Sequence, residues 1–233
     1  MERIVRSEWL DELPADDPQA IRSRRDLRRV NAWMSNAVIL ARALKNALSQ
    51  TPRRRIVDIG AGDGTFLLSV AQQGFRTDFE TGNRSALLVD RQALLQAETQ
   101  ARFEKLNWRV RAMKADVFDF LGSGAEPADA VIANLFLHHL SNEQLTRIFQ
   151  LASERTPVFV AVEPRRSRLT LQFSRLLRLI GCNSVTRHDA VISVRAGFAG
   201  RELSTLWPDR DRWRLTEEPA GWFSQRFVAQ RKD

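Results

Sequence analysis

Ile56-Val57-Asp58-Ile59-Gly60-Ala61-Gly62-Asp63-Gly64 places a carboxylate two residues ahead of a glycine-rich turn. The β-branched apolar run leading into Asp58 reads as a buried strand. Glycines at 60, 62 and 64 let the backbone approach a ligand closely. Thr65, Phe66, Leu67, Leu68, Val70 and Ala71 then give a helical pattern. Strand, glycine turn and helix form the cofactor-binding start of a doubly wound α/β domain. The spacing excludes two cofactor loops. A dinucleotide fingerprint needs a glycine at position 65, where Thr65 stands, and a P-loop needs a closing Gly-Lys-Ser/Thr that the chain lacks.

Two further acids fall at corresponding places. Asp90 ends the apolar run Ala86-Leu87-Leu88-Val89, and Asp116 follows the run from Trp108 to Lys114. Each could be an ordinary helix N-cap. Three acids ending three successive strands are hard to explain as caps, because ligands of open α/β sheets lie outside the carboxyl ends of the strands. A fourth run, Ala130 to Ala133, leads into Asn134-Leu135-Phe136-Leu137-His138-His139-Leu140. Histidine suits proton transfer near neutral pH, so His138 and His139 are the candidate catalytic residues. One of two adjacent histidines is expected to face the sheet or a helix cap. The third histidine lies in Thr186-Arg187-His188-Asp189.

The elements that must position these groups alternate strand and helix, which argues for a mainly parallel sheet with helices on both faces. A helix is expected from about 92 to 106 and a fifth strand from Pro157 to Val162. Trp213–Thr216 and Ser224–Ala229 are expected to close the sheet as an antiparallel hairpin around Pro219 and Gly221. Ahead of the first strand, Leu27, Val30, Met34, Ala37, Ala41, Leu44 and Leu48 recur at helical spacing. They predict one helix over about 21–48, ended by Thr51 and Pro52, with Arg22, Arg24, Arg25, Arg28 and Arg29 on a solvated face. Residues 1–20, acidic and with two prolines, read as an irregular lead-in. The expected organisation is a lead-in and helical cap over 1–50 and a cofactor-binding domain over 51–233, with a substrate-side insertion at about 164–205.

With 233 residues, 43% of them hydrophobic, the chain can bury one good core. Its net charge is +8, from scattered residues that are mostly arginine. No apolar run is long enough to span a bilayer and no signal-peptide core opens the chain, so a cytoplasmic protein is expected. Cys182 is the single cysteine, which excludes intrachain disulfides and cysteine-based metal clusters; no metal is expected. Leu169 to Ile180, with Arg165, Arg166, Arg168, Arg175 and Arg178, is basic and amphipathic. It could pack on the sheet, cover an apolar substrate, or lie on an anionic membrane surface.

An acid two residues before G-x-G-x-G resembles motif I of the class I S-adenosylmethionine (SAM) methyltransferases. The resemblance implies a seven-stranded, mainly parallel sheet with an antiparallel C-terminal hairpin. SAM is then the cofactor, its cationic groups suiting Asp58. Gly60, Ala61 and Gly62 would form the loop, Asp90 would hold the ribose, Arg91 would flank the adenosine, and Asp116 with Val117 would hold the adenine. Asn134 would sit beside the methionine end. Asn134 is followed by Leu135 and Phe136 without the prolines of adenine and cytosine amino-methyltransferases, and Cys182 is far from the place a C5-cytosine nucleophile would need, which speaks against nucleic acid as a partner. Ribose or guanine methylation of RNA stays open as an alternative, as does a non-catalytic SAM-binding protein. A second resemblance is carried by Ser23–Leu27 with Asn31, by Asn134 through Leu140, by Arg187-His188-Asp189-Ala190-Val191, by Val194-Arg195-Ala196-Gly197-Phe198, and by Phe223–Ser224 with Phe227–Ala229. It is to small bacterial methyltransferases encoded near polyketide-synthesis enzymes. It implies a lipophilic phenolic or polyketide-like acceptor; methylation of such an acceptor, or of a quinone-like one, is expected on oxygen, with carbon left open. Arg187, His188 and Arg195 in the insertion are the substrate-side candidates.

Overall fold

A computed structural model of the chain describes residues 1–14, 16–49, 54–75, 84–92, 94–124 and 127–232. A short helix α1 (Trp9–Glu12) precedes α2 (Pro18–Trp33) and α3 (Asn36–Ala47). Alternation then begins with β1 (Arg54–Ile59), α4 (Thr65–Gly74), β2 (Arg84–Asp90), α5 (Ala97–Glu104), β3 (Trp108–Lys114), α6 (Val117–Gly122) and β4 (Ala130–Asn134). It continues through α7 (Asn142–Arg155), β5 (Val158–Pro164), α8 (Arg168–Leu176), α9 (Ser184–Ala196) and α10 (Glu202–Leu206) to the hairpin β6 (Trp213–Ala220) and β7 (Ser224–Arg231). The sheet order is β3-β2-β1-β4-β5-β7-β6. The first five strands pair in parallel, and β7 enters antiparallel between β5 and β6. No helix among the described residues is long and apolar enough to cross a membrane.

The pleat divides the core. Ile56, Ala130, Ile132, Val160 and Val162 pack with Leu40 and Leu44 of α3 and Leu67 of α4. Val57, Ile59, Val131, Phe159 and Phe227 point the other way, toward Ile148 and Phe149 of α7 and Trp207. Phe149 sits 5.1 Å from Trp207 and 5.5 Å from Phe159 between ring centroids, and each such aromatic pair adds about 1 kcal/mol beyond burial. The switch in strand order at β1 and β4 opens a crevice at their carboxyl ends.

Several elements differ from the sequence expectation. The single cap helix is two helices, broken at Met34 and Ser35, where Ser35 takes φ +58. Asn36, fully buried, donates to the side chains of Asn31 (3.0 Å) and Asn134 (3.3 Å) and accepts from Ser224 Oγ (2.6 Å). That polar hub fixes the corner between α2 and α3, and apolar periodicity cannot register it. The expected stop at Thr51 and Pro52 lies outside the described residues. The arginine face of α2 is not simply solvated: Arg28 pairs with Asp63 (2.7 Å) and Arg24 bonds Gln92 (3.2 Å), both near the glycine turn. The helix expected from 92 begins only at Ala97. Pro219 lies inside β6, opposite Gln225, so the turn is confined to residues 221–223.

The lead-in is ordered as well. Arg3 donates to the carbonyls of Ala196 (2.8 Å) and Leu140 (2.8 Å) and lies 4.6 Å over the Phe198 ring. The backbone N–H groups of Trp9 and Leu10 donate to the Asp189 carboxylate at 2.9 and 3.0 Å. Residues 1–12 therefore form a strap held by polar contacts rather than by a core of its own.

Candidate active site

Gly60 and Gly62 take φ of +69 and +57, in the left-handed region that glycine occupies without a Cβ penalty. A Cβ on Gly62 would meet nothing within 4 Å, whereas one on Gly60 would fall 2.4 Å from the Phe136 ring. Asp90 fixes the turn: Oδ2 accepts from Gly62 N and Oδ1 from Gln92 N, both at 2.9 Å. Asp58 lies beneath, 2% exposed, and its Oδ2 has no hydrogen-bond partner among the described residues. Burial, and then the charge of Asp90, push the Asp58 carboxyl well above its ordinary value. A buried carboxylate oxygen without a partner calls for a cation or a donor.

Asp116 caps α6 by accepting from Phe118 N (2.8 Å), and its other oxygen takes Arg91 Nη2 at 2.8 Å. Partial burial opposes ionisation there, but the Arg91 hydrogen bond and the Phe118 N–H hold the Asp116 carboxyl below its ordinary value. Asp116 is thus a helix cap, and it is not among the cavity-lining residues; its partner Arg91 is, with Asp90, Ala115 and Val117. The cavity measures about 1110 Å³. Its wall runs from Gly60, Ala61 and Gly62 past Asn134, Phe136, His138 and His139 to Leu27, Val30, Trp33, Phe173 and Phe223.

The two histidines take different places. Leu135 turns the chain at φ +50, and the successive N–H groups of Phe136 (3.0 Å), Leu137 (2.9 Å) and His138 (3.4 Å) converge on the fully buried Glu163 carboxylate at the end of β5. The same carboxylate takes His138 Nδ1 at 2.8 Å, and Nε2 faces Glu8 of the strap at 3.3 Å. Glu8 also accepts from Ser193 Oγ. Burial alone would lower the His138 pKa, but the hydrogen bonds and charges of Glu163 and Glu8 overcome it and raise it to about 9. Burial would likewise raise Glu8, which His138 instead holds below its ordinary value. His138 is therefore a buried imidazolium between two carboxylates, with no ring nitrogen left to take a proton. The His139 ring lies beside it, tilted by 34° at 4.2 Å between centroids, keeps about a quarter of its side chain exposed, and turns Nδ1 to Asp11 at 3.2 Å.

Glu8, His138 and His139 place donor atoms within 4.8 Å of one another, a spacing compatible with a metal ion. Glu163 and Glu8 already hold both nitrogens of His138, so an ion there would have to displace its proton.

Arg187, His188 and Arg195 are not among the cavity-lining residues. His188 stacks on Trp9 at 3.7 Å and bonds Asp189 (2.9 Å), Arg187 Nε bonds the Asn183 carbonyl (3.3 Å), and the Arg195 carbonyl accepts from Ile4 N (3.1 Å). His188 and Arg195 thus hold the strap, and through it the wall formed by Glu8 and Asp11.

A sheet of this order, with a glycine turn pinned by an acid at the end of β2 and a buried acid at the end of β1 whose Oδ2 has no partner among the described residues, is the arrangement of class I SAM-dependent methyltransferases, and SAM is the cofactor. Residues 56–156 match the family described as a methyltransferase domain. The fold is shared with the plantazolicin methyltransferase BpumL in complex with SAH (S-adenosylhomocysteine), at 13% identity and TM-score 0.65 over 93% of this chain and 92% of that one. It is also shared with an O-methyltransferase family protein from Burkholderia thailandensis (15%, TM-score 0.55, 94% and 64%) and the pyocyanin biosynthetic protein PhzM (20%, TM-score 0.57, 97% and 62%). At these identities the likeness is one of fold. No curated protein sequence is matched.

The residues fit SAM: Gly62 offers an open backbone surface beside Asp90 in the cavity wall, and Asp58, buried and outside the cavity lining, an unsatisfied carboxylate oxygen. Substituting Gly60 by alanine should therefore weaken binding, because its Cβ meets the Phe136 ring and its φ is positive. The left-handed conformation alone costs a non-glycine residue about 1–2 kcal/mol, so we expect at least a roughly tenfold rise in the SAH dissociation constant. Isothermal titration of the variant with SAH measures it.

Proposed function

We propose that the protein methylates a hydroxyl oxygen of a small, apolar, ring-containing acceptor of phenolic, polyketide-like or quinone-like type. The observation that carries this reading is the continuity of the cavity. One cavity is lined by the cofactor loop, by the apolar group Leu27, Val30, Trp33, Phe173 and Phe223, and by His139.

Asp58, Gly60, Ala61, Gly62, Asp90, Arg91, Asp116 and Val117 hold SAM, and Asn134 borders its methionine end. Bound SAM supplies an electrophilic methyl group. The remaining work falls to the chain. The apolar wall orients the acceptor and excludes water, which makes alignment effective in an in-line displacement. The Asp11 carboxylate, 3.2 Å from His139 Nδ1, favours the tautomer that leaves the lone pair on Nε2, where it can take the acceptor hydroxyl proton. Asp11 orients that imidazole. Glu163 and Glu8 lock His138, which fixes the turn carrying His139. Arg187, His188 and Arg195 act from outside the cavity: His188 and Arg195 hold the strap directly, and Arg187 supports the first turn of α9.

Incubation with SAM and a panel of phenols, polyketide-like rings and quinols, followed by SAH release, tests the proposal. SAH formed with such an acceptor, and the product methyl on oxygen, is the expected result. Release with RNA but with none of the small acceptors would overturn it.

A further inference from the structure

Helix α8 and the turn after it have two unlike faces. Thr170, Phe173, Ser174 and Leu177 line the cavity. Leu169, Leu176, Leu179 and Ile180 face outward, Leu179 with 79% of its surface exposed. Two tryptophans extend this outward face. Trp33, 60% exposed, stands 6.5 Å from the Phe173 ring and 5.2 Å from Phe223, and Trp222, 68% exposed, adjoins Phe223 in the β6–β7 turn. The exposed apolar groups thus surround the cavity wall that Trp33, Phe173 and Phe223 build.

The charge along the segment that carries α8 has one sign. From Arg165 to His188 the chain carries six arginines and neither Asp nor Glu. Arg168, Arg175 and Arg178 are exposed among the leucines. Arg29 and Arg22 of α2 reach the same tip, donating to the carbonyls of Ile180 (2.7 Å) and Gly181 (3.4 Å). A contiguous apolar face of this kind marks an interaction site. Leucine and isoleucine at helical spacing, flanked by arginine and tryptophan, match the chemistry of the boundary between lipid headgroups and acyl chains.

We propose that this face docks on an anionic lipid surface with the cavity mouth turned toward the bilayer. Docking would let an apolar acceptor pass from the membrane into the cavity without crossing water; this last clause rests on the acceptor proposed above, whereas the docking does not.

Flotation with vesicles separates the two. The protein should bind vesicles of equal parts phosphatidylcholine and phosphatidylglycerol, weaken as salt rises, and leave pure phosphatidylcholine vesicles unbound. Each arginine near such a surface is worth about 1 kcal/mol, or roughly fivefold, so Arg175→Gln with Arg178→Gln should lower partitioning about thirtyfold. Leu179→Ser with Ile180→Ser should lower it at least about tenfold through lost apolar burial. SAH affinity of both double variants should match the parent, which shows that they remain folded. No binding to the anionic vesicles, or equal binding by parent and variants, overturns the proposal. So does a dimer that only the parent forms and that buries this face, or RNA binding that the same substitutions abolish while vesicles stay unbound. Vesicle binding is read without any acceptor, so a failed acceptor screen leaves it standing.

Discussion

His139→Ala should lower turnover about a hundredfold or more at saturating SAM, the ordinary worth of a positioned general base, and leave SAH affinity at the parent value. The expectation rests on how the Phe136–His139 turn divides labour. Its buried histidine is closed on both nitrogens by Glu163 and Glu8, while its neighbour faces the cavity and turns one nitrogen to Asp11. A base needs a lone pair within reach of the acceptor, and of the two only His139 offers one. The readout that a structural role would not move is the split between the two parameters: kcat falls while SAH affinity and the acceptor KM hold. Asp11→Asn should cut kcat by less and leave SAH binding alone, because an amide can hold the imidazole ring in place while no longer selecting its tautomer. Full turnover by His139→Ala would sink the assignment and leave the cofactor site intact. Treatment with a chelator should change nothing; a loss restored by a divalent ion would make Glu8, His138 and His139 metal ligands instead.

The cofactor half was legible because its signals are local. Strand pattern, glycine spacing and acids at strand ends lie within a few residues of one another, and the sheet placed them as expected. The proton-handling half was not, because its partners come from distant segments. Glu8 and Asp11 sit in a lead-in without apolar periodicity, and nothing local says that it folds back across the cavity over the Asn134–Leu140 segment. Glu163 was within reach of sequence reasoning. It ends β5 as Asp58 and Asp90 end β1 and β2, so the rule that exposed those acids would have exposed it. Arg187, His188 and Arg195 illustrate the opposite error. The insertion does border the cavity, through Ala190, Ser193 and Val194, whereas His188 stacks on Trp9 and Arg187 bonds the Asn183 carbonyl.

His138→Ala should lower stability by roughly 3–5 kcal/mol, the cost of leaving buried charges without their partner, or about 10 °C in Tm for a chain of this size. Two carboxylates share this one imidazolium, Glu163 with no exposure and Glu8 with little. Removing it sets them against each other as well as against desolvation. The pH dependence of the parent follows from the same contact. The His138 pKa rises from its ordinary 6.5 to about 9 on folding. Its contribution is therefore complete below about pH 6.5 and is lost as pH climbs through 9. Glu8 titrates lower in the folded chain than outside it, so its contribution is lost in acid, as pH falls below its ordinary carboxyl range. The parent should then show its Tm falling between neutral pH and pH 10, and His138→Ala should lack that alkaline decline. Glu8→Gln, which leaves Glu163 and His138 paired, should fall between the two and release the strap first, visible as early amide exchange over residues 1–12. A His138→Ala variant as stable as the parent, with the same pH profile, would mean that the buried carboxylates are held neutral and that the strap is tied down by Arg3 and Asp189 alone.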